Sequence, residues 1–227
     1  SMFGFFKSKK TAVRQLNHPS QLKIGDMLTL IDSFAYPQWL KGQTLKVTDV
    51  QTYQYQHSAE YEFVLESESG KIVFLQIECD DGEEYANFSV KIQRDDVDNI
   101  FTLDEFARIF DENALTHIKT QNTPDAFERF LAPSYQQTEA PYVCYFHNQD
   151  YRNQGLPRYQ EQGGETCEII HLASDDESHS INIEIWEGGD TEVSLTLTRP
   201  ISDIVELFPG DAAWLISSLN GSDKSKL

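Results

Sequence analysis

The chain has 227 residues, 39% hydrophobic and 24% charged, enough to bury a core and too apolar for wholesale disorder. Eighteen basic residues face 37 acidic ones, a formal net charge of −19; this argues against nucleic acid as the main partner, because phosphate binding needs a basic surface. No run of 18 apolar residues occurs, so no transmembrane helix is expected and the chain reads as soluble and globular.

Ser1 ahead of Met2 reads as a cloning remnant, and the residues that follow do not form a secretory signal. Charge is unevenly placed: residues 1–25 carry +5 and the remainder −24. The start is also aromatic, with Phe3, Phe5 and Phe6 beside Lys7, Lys9 and Lys10. Such a tail suits weak peripheral contact with an anionic membrane surface, at about 1 kcal/mol per basic residue. The alternative is a loose tail, or one whose phenylalanines dock on the body. The three cysteines, Cys79, Cys144 and Cys167, are odd in number and far apart, which fits free thiols in a reducing cytoplasm.

Strands are predicted at 27–32, 44–50, 60–66 and 72–79, the third alternating Tyr61, Phe63 and Leu65 with charge. Asp80–Glu84 turns, after which Ala86, Phe88, Val90 and Ile92 are expected to face inward. Thr102-Leu-Asp-Glu105 is a capping box opening a helix to about Glu112. A second helix is expected at 124–131, with Pro124 at its first position. Residues 132–140 read as a linker, 141–147 and 166–172 as strands, and 148–164 as a long loop. Ile181, Ile183 and Ile185 alternate with Asn182, Glu184 and Trp186, a half-buried strand. Glu187–Asp190 turns, and Val193, Leu195 and Leu197 continue to Pro200, where the ladder must stop. Ile201–Phe208 then leads to a helix near 211–219.

Self-comparison suggests an internal duplication. At an offset of 106, Ile77-Glu78 falls on Ile183-Glu184 and Gly82 on Gly188; one residue later Phe88-Ser-Val90 meets Leu195-Thr-Leu197. The expected fold is therefore α+β, mainly antiparallel β, with two similar β-hairpin-plus-helix units arranged as tandem lobes or a pseudo-twofold pair. The expected organisation is a tail (1–20), a first unit (21–131), a linker (132–140), a second unit (141–219) and a polar end (220–227).

Chemical motifs are scarce. No phosphate-binding glycine motif, nucleophile elbow, C-x-x-C or H-E-x-x-H is present. Cys144 and His147 would lie on opposite faces of a strand, which opposes shared ligation. His171 and His179 flank the acidic Asp175–Glu177, a cation site or a solvated turn, and Asp80–Glu84 is a calcium-binding or simply acidic turn. Glu78 and Glu184 occupy matching places; they approach each other if the copies pack by symmetry, and face solvent otherwise. Trp186 shares the polar face with Glu184, so it is either an exposed binding anchor or covered by another element, and Trp39 raises the same question.

The Met-Phe-Gly-Phe-Phe-Lys start, Leu22-Lys-Ile-Gly-Asp26, Glu60-Tyr-Glu62, Trp186-Glu-Gly-Gly and Glu192-Val resemble uncharacterised bacterial proteins of the YjfK-like kind. These are often encoded beside phage-shock PspA-like proteins and small membrane proteins. The resemblance implies a cytoplasmic protein at or near the inner membrane, in envelope stress, and it transfers no catalytic residue. The function expected first is a non-enzymatic adaptor that binds a protein partner, one at the membrane, through Trp39, Glu184, Trp186 or the tail. No nucleic acid and no cofactor are expected. The second expectation is a small-ligand or metal-binding sensor, with its site between the copies or at the acidic turns. A hydrolase with a site assembled only in space is the third.

Overall fold

The computed structural model describes residues 14–111, 115–159 and 163–210. Among these, twelve strands form one sheet in which every pairing is antiparallel. In chain order they are β1 (Met27–Leu30), β2 (Thr44–Gln54), β3 (Ala59–Glu66), β4 (Ile72–Asp80), β5 (Glu83–Ile92), β6 (His117–Lys119), β7 (Ser134–Gln137), β8 (Tyr142–His147), β9 (Glu165–Ala173), β10 (His179–Trp186), β11 (Thr191–Pro200) and β12 (Ile204–Phe208). Two short helices, α1 (Arg94–Ile100) and α2 (Leu103–Ala107), lie between β5 and β6. No helix among the described residues is long and apolar enough to cross a membrane.

Eight of the strands close a ring. Two four-strand meanders, β2–β5 and β8–β11, join along β5 and β11 at one junction and along β2 and β8 at the other. β2 can serve two neighbours because its register with β3 shifts between Val47 and Asp49. The extra residue, Thr48, bends the strand. Before it β2 pairs with β1, whose other edge carries β12; after it β2 pairs with β8. β9 is shared in the same way, between β8 and β7.

The hairpin turns follow from local chemistry. Asp81 and Gly82 between β4 and β5 both have positive φ, 50° and 78°, the requirement of a tight two-residue hairpin turn and the reason for glycine there. At α2, the Thr102 side chain accepts a hydrogen bond from the Glu105 backbone N–H, as the capping pattern predicts.

The main apolar core lies outside the ring. Val47, Phe63, Leu75, Phe88, Leu195 and Ile183 point outward from successive strands and are sealed from solvent. The chain covers them with its own connections: Leu22, the 31–43 segment with Tyr36 and Leu40, α1 and α2 through Val97, Ile100 and Phe106, and β6, β7 and Phe130. Polar anchors fix this jacket. Tyr36 Oη donates to Asp203 at 2.7 Å, and Arg199 Nε donates to the same carboxylate at 2.7 Å. The connection after β8 also lies on the outer face, where Thr52 Oγ1 donates to the Gln149 carbonyl at 2.7 Å and Gln54 Nε2 to the Pro157 carbonyl at 2.6 Å.

The structure corrects the expected architecture. There are not two α+β lobes or hairpin-plus-helix units; both hairpins belong to one closed barrel. Ala86, Phe88, Val90 and Ile92 are buried, but beneath the jacket rather than inside the ring. The 124–131 helix is only a 3-10 turn, Asp125–Phe127, because Arg129 sits at φ 73° and cannot continue a right-handed helix. Strand β7 lies within the expected linker, with Tyr135 and Gln137 buried. The segment after Pro200 forms β12 against β1, and the helix expected at 211–219 lies outside the described residues.

Candidate functional site: the barrel lumen

Strand alternation gives the wall a second face, and ring closure turns it inward. The contact that settles its direction is Tyr53 on β2 with Glu184 on β10. Tyr53 Oη donates to Glu184 Oε1 at 3.1 Å, with Oε2 at 3.3 Å, although β8 and β9 separate the two strands along the sheet. Such reach is possible only across the interior.

This contact narrows the lumen. Tyr53 packs on Phe146 with ring centroids 5.1 Å apart, and Phe146 meets Trp186 edge-on at 5.3 Å. Glu62 on β3 is 9% exposed and Glu184 is 8% exposed. Lys91 on β5 pairs with Glu192 on β11 at 2.9 Å and lies 4.8 Å above the Phe74 ring. Tyr53, Phe74 and Lys91 line chambers on both sides of the narrowing, one of about 930 Å³ and one of about 690 Å³.

The larger chamber is polar. Ser89 and Thr196 share a 2.6 Å hydrogen bond, Thr198 Oγ1 donates to Asn87 Oδ1 at 2.7 Å, and His171 Nδ1 donates to Asn182 Oδ1 at 2.7 Å. Tyr55 and Tyr142 stand near its mouth, ring centroids 5.9 Å apart, and Tyr55 Oη donates to Glu60 at 3.2 Å.

Burial changes how these groups ionise. Desolvation pushes the Glu62 carboxyl up to about 8, reinforced by the nearby Glu184 charge and only partly offset by Lys91 and Gln76. Desolvation likewise pushes Glu184 up to about 7 against the opposing pull of Lys91 and Tyr53. Glu60 is raised by burial, and Tyr53, Tyr55 and Tyr142 are all pushed well above the usual phenol range by burial and neighbouring carboxylates. Near neutral pH, Glu62 and Glu184 can therefore either donate a proton to an occupant or accept one.

The structure sorts the residues singled out by sequence. Glu184 and Trp186 both reach the narrowing of the lumen, and the Trp186 indole N–H is buried there without an acceptor among the described residues. Trp39 is not a free anchor: it stacks on Phe130 at 6.3 Å, with Lys71 Nζ 5.1 Å from its ring. Phe3, Phe5, Phe6, Lys7, Lys9 and Lys10 lie outside the described residues. Glu78 does share the lumen face with Glu184, but it stays exposed at the larger mouth; the carboxylate that raises Glu184 is Glu192, and Glu184 in turn raises Glu62. Sequence reasoning passed over Glu62, Tyr53 and Lys91. The available signal was Glu60-Tyr-Glu62, two acids on the face of β3 opposite Tyr61, Phe63 and Leu65.

Cys144 and Cys167 face each other across β8 and β9, both fully buried, and the neighbouring Cys144 sulfur is the first cause of a raised Cys167 thiol. Among the described residues, no cluster of three or more His, Cys, Asp or Glu side chains is placed to hold a metal ion. His171 and His179 are instead tied to Asn182 and to the Arg129 carbonyl. Comparison of the chain with protein-family models, curated proteins and solved structures found no match.

Proposed function

We propose that the protein binds a small polar molecule inside the barrel. The observation that supports this reading is the inversion of the wall: the apolar core sits under the jacket, while a closed ring surrounds about 930 Å³ of polar space with buried carboxylates at its floor. An eight-stranded barrel is wide enough either to fill with side chains or to hold one small ligand. Here the inward side chains include Ser89, Ser180, Ser194 and Thr196, which are too small to fill the interior. A concave, pre-formed site in which fixed polar groups set a ligand's orientation is what small-molecule recognition uses.

The test is thermal unfolding of the full chain against a panel of small polar metabolites, repeated on Ser194→Phe, which puts a ring into the larger chamber. A true occupant at 100 times its Kd adds about 2.7 kcal/mol of stability. The expected result is stabilisation of the wild type by at least one chemical class and its loss in Ser194→Phe. A panel covering cations, anions and neutral polyols that leaves the melting temperature unmoved overturns the reading.

For the adaptor reading, Trp39 is half-buried and stacked on Phe130 in the jacket.

A further inference from the structure

Eight carboxylates line the larger chamber against two fixed cations, Lys91 and Arg199. Both cations are already matched to acids outside those eight: Lys91 to Glu192 at 2.9 Å and Arg199 to Asp203 at 2.7 Å. The chamber is therefore short of positive charge, and at its floor Lys91, already paired with Glu192, is the cation that Glu62 and Glu184 share. Glu62 is nine-tenths buried and lines the chamber. Its Oε2 accepts a hydrogen bond from Gln76 at 3.3 Å, and its Oε1 accepts none among the described residues. Among the described residues, Glu184 accepts a side-chain hydrogen bond from Tyr53 alone.

We propose that the larger chamber takes an organic ammonium ion, an α,ω-diamine or longer polyamine, with one ammonium group between Glu62 and Glu184. This rests on the lumen being the binding site. An ammonium group supplies three donors and no acceptor, which suits two carboxylates with free lone pairs. The rings of Tyr53, Tyr55 and Tyr142 along the chamber suit a methylene chain and attract a cation to their faces. Glu60 and Glu78 toward the mouth offer a second ammonium its partner. A bare divalent metal fits less well, since no three ligands converge among the described residues.

Binding is coupled to protons. The groups facing Glu62 are Tyr53 from β2, Lys91 from β5, Glu184 from β10 and Glu192 from β11, with neutral Gln76 from β4. Without a ligand, Glu62 keeps its proton to about pH 8. A seated cation favours the carboxylate and expels that proton, so affinity rises with pH.

The experiment is titration calorimetry of the full chain with 1,4-diaminobutane and its longer homologues at pH 6 and pH 8.5, with 1,4-butanediol and Mg²⁺ as comparisons. Expected are saturable diamine binding, at least tenfold tighter at the higher pH, and no heat from the diol. Glu62→Gln, checked for folding by circular dichroism, should weaken the diamine tenfold or more. No diamine binding, binding indifferent to Glu62→Gln, or Mg²⁺ binding that diamines do not displace overturns the inference. The two readings fail separately. If diamines do nothing but another class stabilises the wild type and not Ser194→Phe, the lumen reading stands and the cation falls. If diamine binding survives Ser194→Phe, the amine is outside the chamber and the inference falls.

Discussion

Phe88 and Ser89 are consecutive residues of β5, yet they occupy different media. Phe88 points outward, fully buried, and meets Tyr36 of the jacket edge-on at 5.7 Å. Ser89 points inward and shares its hydroxyl with Thr196 across the β5–β11 junction at 2.6 Å. The same division holds for most of the ring: the main apolar core goes to the jacket, and small or charged groups share the lumen with one aromatic cluster around Tyr53, Phe146 and Trp186. The difference teaches where this fold keeps its stability. An ordinary small barrel fills its interior with its core; here the outer face carries the core, so the interior is free to carry charge and empty volume.

Three measurements break or sharpen that contrast. The largest effect is expected from Phe88→Ala, which removes a buried ring from the outer face and should destabilise the protein by about 3–5 kcal/mol in urea unfolding. A loss below about 1 kcal/mol would mean that the jacket does not depend on the wall. Next comes the pH dependence of stability. The Glu62 carboxyl is raised to about 8 in the folded state, whereas an unfolded glutamate titrates near about 4.3. The folded state therefore holds a proton that the unfolded chain has lost. Its stabilisation is complete below about pH 4.3 and disappears as pH rises toward about 8. Glu184, raised to about 7, adds to the same trend. Urea midpoints of the wild type should fall between pH 5 and pH 8.5, and those of Glu62→Gln should fall less. Equal slopes in the two proteins would place Glu62 in water. The smallest effect is expected from Ser89→Ala, the lumen neighbour of Phe88. It loses one hydroxyl pair facing a polar cavity and should cost about 1 kcal/mol.

Much of the strand plan was legible because period-two alternation and glycine turns are local signals. β2 to β5 and β8 to β11 all overlap the runs read from sequence, and the turns at Gly82 and at Gly188-Gly189 take positive φ. Alternation defines two faces, however, and not which one a closed sheet encloses. Phe88 and Val90 do face the core, as alternation predicts. That core lies outside the ring, because the chain supplies a jacket, drawn largely from 93–135, that makes the outer side the buried one. Closure was hidden for a similar reason: it depends on Thr48, an unremarkable residue whose bulge hands β2 from β1 to β8. The pairing of Glu62 with Glu184 required knowing that β3 and β10 face each other across a ring. Glu184 by itself was visible from its place between isoleucines.

The ring is not equally fastened along its length. β2 and β8 are held by three residue pairs, Thr52 with His147, Tyr53 with Phe146 and Gln54 with Tyr145, whereas β5 and β11 are held by eight. A hoop opens at its shortest weld. Brief parting of these three pairs gives the barrel a slit along its flank, a way in that neither chamber mouth provides, and it would separate the Tyr53 and Phe146 rings that narrow the passage. Local opening of this kind is read by amide exchange, which should be fastest within the ring at the β2–β8 hydrogen bonds. The time a molecule spends inside then depends on how often that slit forms, so dwell time and affinity can be tuned separately.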